Sequence, residues 1–489
     1  MRLKARCLAC SAPQLWRALV VILVLVISVL QVVHITLLSR LEARRSRDDR
    51  RTARSPLTDW GSDKYRVQEM SDDRARMLHV LEESAVLDVS GEFSLVSNFQ
   101  PASPPLRGTM SAQGGSASPK QQQQQQQQPQ LTTQGATQGM LPSTSNEHTR
   151  GGISSSLTRD VTLVTQSSIG PLSSLDSLAS RWKGPISVAL FAAKRRELPD
   201  LIETILHLRA CYPAVRHNVT FHLVYPLHSK ATSSGNSHHG APALSLAECS
   251  TLPRRLGELQ PSIINYGHEV AYPVNLLRNV ARRNAASQFI FVVDIDLQVS
   301  QGLHDSFLTY AKENSLFSRA DHQEAFVVPA FETVEDIVLP RNKAELLGLL
   351  ERGVARPFYA ELCHKCHKHT DYEAWTKAPL TPDNKLEVLY QVSWKDPWEP
   401  FYIAHNSVPL YDERFRQYGF NRISQACEMH VAGYSFAVLN NAFVIHRGLK
   451  RSGDFHKEKD KDLDRNRLNF RQFKTELKEK YKQSPRRCY

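Results

Sequence analysis

The sequence predicts a layered α/β domain with a largely parallel sheet, on three observations. Strand-like and helix-like segments alternate from Pro185 onward. Phe289 to Val293 is an unbroken aromatic and β-branched run, the pattern of a strand buried on both faces. That run ends on Asp294-Ile295-Asp296. Two carboxylates therefore stand beyond the carboxyl end of a strand, where open α/β sheets bind their ligands.

Taken in order, the chain of 489 residues opens on a basic stretch, 1–17, read as a cytoplasmic tail. Ala18 to Leu38 then runs about 21 residues without a formal charge, the length of one spanning helix. It is longer than the core of a cleaved signal peptide, so 18–38 is expected to be a signal anchor. Arg40, Arg44, Arg45, Arg47, Arg50, Arg51 and Arg54 follow it and oppose that orientation by positive-inside counting, although long C-terminal domains translocate regardless. Asn218-Val219-Thr220, the single N-glycosylation sequon, favours a lumenal C-terminal part. Residues 39–180 are dominated by Ser, Thr, Pro, Gly and Gln, with glutamine throughout 121–128, and are expected to form a stem too polar to fold. Within it, Asp72 to Leu87 reads as a short helix.

Composition changes at Arg181-Trp182-Lys183, and 181–489 is expected to be the folded catalytic domain. The spacing predicts strands at 185–191 and 219–225 and a helix at 198–208. After a polar loop at 228–240 come a helix near 244–256, a strand at 263–264, and a helix at 274–287 leading into the 289–293 strand. A helix at 302–314 and strands at 325–331, 436–439 and 442–445 complete the pattern. No GxGxxG follows the first strand and no GxxxxGK[ST] occurs, which disfavours a dinucleotide fold and a P-loop. The net charge of +12 is concentrated towards the two ends, and no aromatic–basic ladder calls for nucleic acid.

The candidate chemistry centres on the acidic pair. Asp294 and Asp296 can hold one hard divalent cation that bridges a diphosphate, or they can be two solvated turn acids. The preceding helix carries Asn275, Arg278, Asn279, Arg282 and Arg283. Arg278 and Arg282 lie four apart and form either a fork for phosphate, uracil or a sugar carboxylate, or a solvated basic face. Cys363-His364-Lys365-Cys366-His367 matches a haem-attachment pattern, and with His369 it also offers zinc ligands. A disulfide is the plainer use in an oxidising compartment. Trp394, Trp398, Phe401 and Tyr402 could form a wall on which a sugar stacks, and Glu399, Asp412, Glu413 and Glu428 are candidate general bases. His446 at a strand end is a third ligand for a cation held by the two carboxylates, or a structural histidine, and Lys450 could neutralise a diphosphate.

Several segments resemble the beta-1,4-glucuronyltransferase 1 family and its relative, the glucuronyltransferase half of the LARGE proteins. They are YPVNLLRNVAR (272–282), VVDIDLQVSQGL (292–303), WKDPWEPFYIA (394–404), DERFRQYGFNRISQACEMHVAGYSF (412–436), FVIHRGLK (443–450) and SPRRC (484–488). The resemblance implies a nucleotide-sugar transferase fold of the GT-A kind with Mn2+ and UDP. It implies transfer, with inversion, of glucuronic acid from UDP-glucuronic acid to xylose. The acceptor would lie on the O-mannosyl glycan of dystroglycan, a β1,4-linked primer that LARGE-type transferases extend. It implies a single-pass type II protein of the Golgi membrane with its catalytic domain in the lumen. Asp294 and Asp296 become the DxD motif, with Asp296 the firmer metal ligand and Asp294 nearer the nucleotide. His446 becomes the metal histidine, Lys450 the lysine of an HxGxK ending, and Asn275 and Arg278 donor-side residues. Glu399 is the first choice of base and Asp412 the second. Some related transferases carry acids after the Tyr-Gly pair, where this chain has Asn421-Arg422. The alternatives are the same fold with UDP-xylose or UDP-N-acetylglucosamine, or a non-catalytic Golgi scaffold.

Overall fold

The computed structural model describes parts of 72–83, then 84–103, 157–227, 270–319, 321–451 and 459–488, with isolated positions such as Cys249 and Leu256 between. The expected membrane anchor at 18–38, the glutamine run, and most of the predicted 244–264 elements lie outside these residues. Among the described residues, no helix is long and apolar enough to cross a membrane. All of the elements below belong to one compact unit, Glu69–Tyr489.

Its strands in chain order are β1 (Val86–Leu87), β2 (Phe93–Gln100), β3 (Thr158–Ser167), β4 (Ile186–Phe191), β5 (Val219–Pro226), β6 (Ser287–Val292) and β7 (Leu297–Val299). They continue with β8 (Glu324–Val327), β9 (Ala330–Thr333), β10 (Ala355–Pro357), β11 (Val388–Val392), β12 (Tyr402–His405), β13 (Ser435–Leu439) and β14 (Val444–Arg447). Ten of them form one sheet in the order β1-β2-β5-β4-β3-β6-β12-β8-β13-β11, and four form a second, β10-β9-β14-β7. Of the expected mostly parallel mixed sheet, the mixed character holds and the parallel majority needs correction. Within the large sheet β5-β4-β3-β6 and the β8–β13 pair are parallel, and the pairs flanking them are antiparallel. The fold is a mixed α/β sheet.

Burial explains why the strands read as continuous apolar runs. On β6, Phe289 and Phe291 enter one core cluster while Ile290 and Val292 enter the other, so both faces of the sheet are covered. On β4, Ile186, Val188 and Leu190 face the first cluster and Ala189 and Phe191 the second. Each large side chain buried this way contributes roughly 1.5–3 kcal/mol. Tryptophan caps one face: Trp182 is fully buried and packs 6.0 Å from Phe291.

The folded domain does not begin at 181. β3 lies between β4 and β6 at the centre of the large sheet, and β2 pairs with β5. Both segments had been assigned to the stem. Their polar residues, which read as stem by composition, are satisfied inside the sheet. Thr162 Oγ1 lies 2.7 Å from Ser287 Oγ, for example.

Two further boundaries moved. The predicted 274–287 helix ends at Arg283, because Ser287 is already β6. The predicted 325–331 strand is two strands, interrupted at Val328-Pro329, which belong to different sheets. This interruption matters. The chain passes from the large sheet to the small one at β6–β7, at β8–β9 and at β13–β14, and the acidic pair lies in the first of these passages.

Candidate active site

Val293 N donates to Val164 O, which fixes the end of β6 against β3. Leu297 N then donates to Asp294 O at 3.0 Å, closing a tight turn over Ile295, whose side chain is fully buried. The turn sends its two carboxylates to different neighbours.

Asp294 faces the large sheet and its helices. Its Oδ1 accepts from Arg278 at 2.8 Å and from Gln166 at 3.4 Å, and its Oδ2 accepts from Arg422 at 2.8 Å. Burial alone would raise its pKa. The charges of Arg422 and Arg278 outweigh that effect and hold the carboxyl below its usual range. Asn421 completes the arrangement by accepting from Arg278 at 2.9 Å, while Asn275 accepts from the same guanidinium at 3.1 Å. Asn421 and Arg422 open the helix Asn421–Val431 after Gly419 and Phe420, both at positive φ. Arg422 also lies over the Phe401 ring, 4.2 Å from its centroid.

Asp296 faces the small sheet. β7 pairs with β14 so that Leu297 stands opposite His446, which places the imidazole beside the preceding aspartate. His446 Nε2 is 3.2 Å and Lys450 Nζ 3.4 Å from Asp296 Oδ2. Against the burial penalty, Lys450 and His446 hold this carboxyl far below its usual range. Gly448, at φ +91°, turns the chain back so that Lys450 reaches the site. The same turn presents Gly448 O to His446 Nδ1 at 2.7 Å. A carbonyl only accepts, so Nδ1 donates to Gly448 O and Nε2 is the ring nitrogen left facing Asp296.

The residues fit a divalent cation in part. His446 Nε2 and Asp296 Oδ2, 3.2 Å apart, are a nitrogen and an oxygen of the kinds that would hold a divalent cation once the ring gives up its Nε2 proton. Asp294 does not complete a three-ligand set, because two guanidiniums occupy its oxygens. Among the described residues, no three His, Cys, Asp or Glu side chains converge in a metal-binding arrangement. Of the three expected ligands, Asp296 and His446 face each other, while Asp294 turns its oxygens to Arg278 and Arg422.

The other expected site residues divide sharply. Glu399 is near: its carboxylate is 17% exposed and lies 3.8 Å from His367 Nε2. Burial pushes its pKa up to about 7, Arg422 opposes the shift, and Asp294 adds to it. Its backbone N donates to Cys366 O at 2.9 Å. Cys363 and Cys366 are bonded to each other, which removes the thiolates that zinc or haem attachment would need. Cys211–Cys249 and Cys427–Cys488 are the other disulfides among the described residues.

Asp412 is not available as a base. Arg414 grips both of its oxygens, and the residue lines a separate cavity of about 600 Å³ with Glu413 and Glu428. Glu413 accepts from Asn279, and Glu428 accepts from Lys480 and Tyr481. The proposed arginine fork is also absent. Arg278 is spent on Asp294, and Arg282 donates to Asn406, Val408 and Pro409 around a loop. Asn275 supports the site indirectly, donating to the carbonyls of Asp412 and Asn421. Trp394, Trp398, Phe401 and Tyr402 are all at most 4% exposed and belong to the core, so they offer no stacking wall. Asn218 is half-buried at the end of a short helix, and Thr220 Oγ1 accepts from Ala102 N.

Sequence reasoning missed Gln166, Asn421 and Arg422. The first was hidden in the assumed stem. The other two were set aside for not being acids, although an arginine at the start of a helix beside an acidic strand end is itself a signal.

A beta-1,4-glucuronyltransferase 1 of Danio rerio is 44% identical over 328 residues, covering 67% of this chain and 75% of the relative. The Homo sapiens protein of that name is 41% identical, covering 73% and 85% respectively. A xylosyl- and glucuronyltransferase LARGE2s of Gallus gallus is 31% identical over 61% of this chain and 33% of the relative. Among solved structures, GalNAc-T7 with UDP, GalNAc and Mn2+ overlays at a TM-score of 0.31 and 10% identity, over 62% of this chain and 45% of that one, a likeness too loose to carry inference. The family described as glycosyl-transferase for dystroglycan matches residues 160–482, which include most of β3 and every residue of the site above, and the chain belongs to that family.

Proposed function

We propose that this glycosyltransferase moves glucuronic acid from UDP-glucuronic acid, with inversion, to a xylose acceptor in β1,4 linkage on the O-mannosyl glycan of dystroglycan. Family membership and the names of the relatives support the transferase and the sugar. The single observation that carries the site is Asp296, shared between His446 Nε2 and Lys450 Nζ where β6 passes to β7.

Asp296 and His446 would hold a divalent cation, read here as manganese, which supplies charge stabilisation to a departing diphosphate. Lys450 brings a cation to the same place and favours the negative charge that develops on UDP. Arg278 and Arg422 hold Asp294 rigidly, so the turn that carries Asp296 is set before substrate arrives. Glu399 takes the proton of the acceptor hydroxyl as that oxygen attacks the anomeric carbon. A pKa raised to about 7 suits a base working near neutrality. We also read the protein as a single-pass type II resident of the Golgi membrane with its catalytic domain in the lumen, supplying a primer that LARGE-type transferases extend. The three disulfides and the Asn218 sequon support a lumenal domain.

The test is UDP release by the full chain with manganese and a β-xyloside, comparing UDP-glucuronic acid, UDP-xylose and UDP-N-acetylglucosamine. The expected result is turnover with glucuronate alone. Turnover with another sugar would overturn the donor and leave the site.

A further inference from the structure

Tyr359 is a non-glycine residue at φ +59°, a conformation that costs free energy and persists only where its surroundings impose it. The surroundings here are specific. Glu332, fully buried on β9, stands opposite His446 in the β9–β14 register. One of its oxygens accepts from both Tyr359 N and Lys450 N at 3.3 Å. Arg356 neutralises Glu332 at 2.6 Å and donates to Lys450 O at 3.2 Å. A single buried carboxylate thus fixes the backbones of Tyr359 and of the diphosphate-side lysine together.

The ring is fixed as well. It stacks on Phe358 at 4.1 Å and 19°, and its edge meets His367, the neighbour of Glu399, at 5.7 Å. The phenol lies within the electrostatic influence of Tyr418 and then of Glu399, Asp296 and Asp294, and no protein group among the described residues bonds its hydroxyl. A half-buried hydroxyl without a partner among the described residues, on a strained residue tied through Glu332 to Lys450 and through its ring to His367, is placed for a ligand.

We propose that Tyr359 is a substrate-contacting residue whose hydroxyl hydrogen-bonds the sugar ring of the bound nucleotide sugar, with Glu332 as its positioning residue. This inference rests on the nucleotide-sugar reading of the site. It adds a contact that neither the motifs nor the family assignment supplied.

The test measures Kd for UDP and for UDP-glucuronic acid, both with manganese, by calorimetry on the full chain and on Tyr359→Phe. Loss of the hydroxyl is expected to weaken UDP-glucuronic acid about tenfold while UDP binds unchanged, the scale of one hydrogen bond to a buried partner. Tyr359→Ala, which also removes the ring, is expected to give the same pattern with a larger loss. Equal affinity of Tyr359→Phe for both ligands, or equal weakening of both, would overturn the proposal. If the unaltered chain binds UDP but prefers another UDP-sugar, the glucuronate reading fails separately, and that sugar then decides the role of Tyr359 by the same comparison.

Discussion

Asp294 and Asp296 are two residues apart and do different work. Asp294 is sandwiched between two buried guanidiniums, Arg278 and Arg422. Asp294→Ala would leave both charges uncompensated and is expected to destabilise the fold by about 3–5 kcal/mol, read by chemical denaturation. Asp296 makes longer contacts, 3.2 Å to His446 and 3.4 Å to Lys450, so Asp296→Ala is expected to cost less stability than Asp294→Ala and to leave a cooperative melt. Glu399 offers a second test. Its pKa is raised to about 7, and a base acts only when ionised, so kcat/KM should climb with pH and level off above about 7. At pH 6 it should stand about tenfold below the plateau. A profile flat down to pH 5 would remove Glu399 as the base, as would full activity in Glu399→Gln.

At the scale of elements, the passage from the large sheet to the small one at β6–β7 carries the acidic pair, and the Cys363–Cys366 disulfide adjoins Glu399. The carbonyl of Cys366 accepts from Glu399 N, and the next residue, His367, lies against the Glu399 carboxylate. The Cys363–Cys366 bond therefore positions the base from behind. Replacing both cysteines by serine is expected to lower kcat about tenfold while leaving the affinity for UDP unchanged, measured by steady-state kinetics and calorimetry. Much of this level was legible in the sequence. The FIFVV run, the acidic strand end and the His446-to-Lys450 turn all occur where their patterns placed them. The division of labour within the acidic pair was not legible, because it depends on which sheet each carboxylate faces, and the β6-to-β7 passage is a tertiary event. The aromatic segment 394–402 was misjudged for a related reason: tryptophan marks a sugar platform or a core equally well until burial is known.

For the whole molecule, the boundary of the folded domain is the main correction. Thr158–Ser167 has only Val161, Leu163 and Val164 as apolar residues and follows a long polar tract, so its composition reads as stem, whereas the sheet needs it at its centre. A chain starting at Arg181 would expose the facing edges of β4 and β6 and lose β2 from the far side of β5. Such a chain is expected to be insoluble or molten, and one starting at Glu69 to melt cooperatively, as circular dichroism would report. A cooperative melt of the shorter chain would contradict the sheet order.

The most direct test of the central claim is UDP release from UDP-glucuronic acid, with manganese and a β-xyloside, by the full chain and by Asp296→Ala in parallel. The expected result is turnover that EDTA abolishes in the unaltered chain. In the variant, whose thermal melt is preserved, turnover should fall by about a thousandfold or more. A folded Asp296→Ala variant that turns over at the rate of the unaltered chain would contradict the assignment of Asp296, His446 and Lys450 as the diphosphate centre.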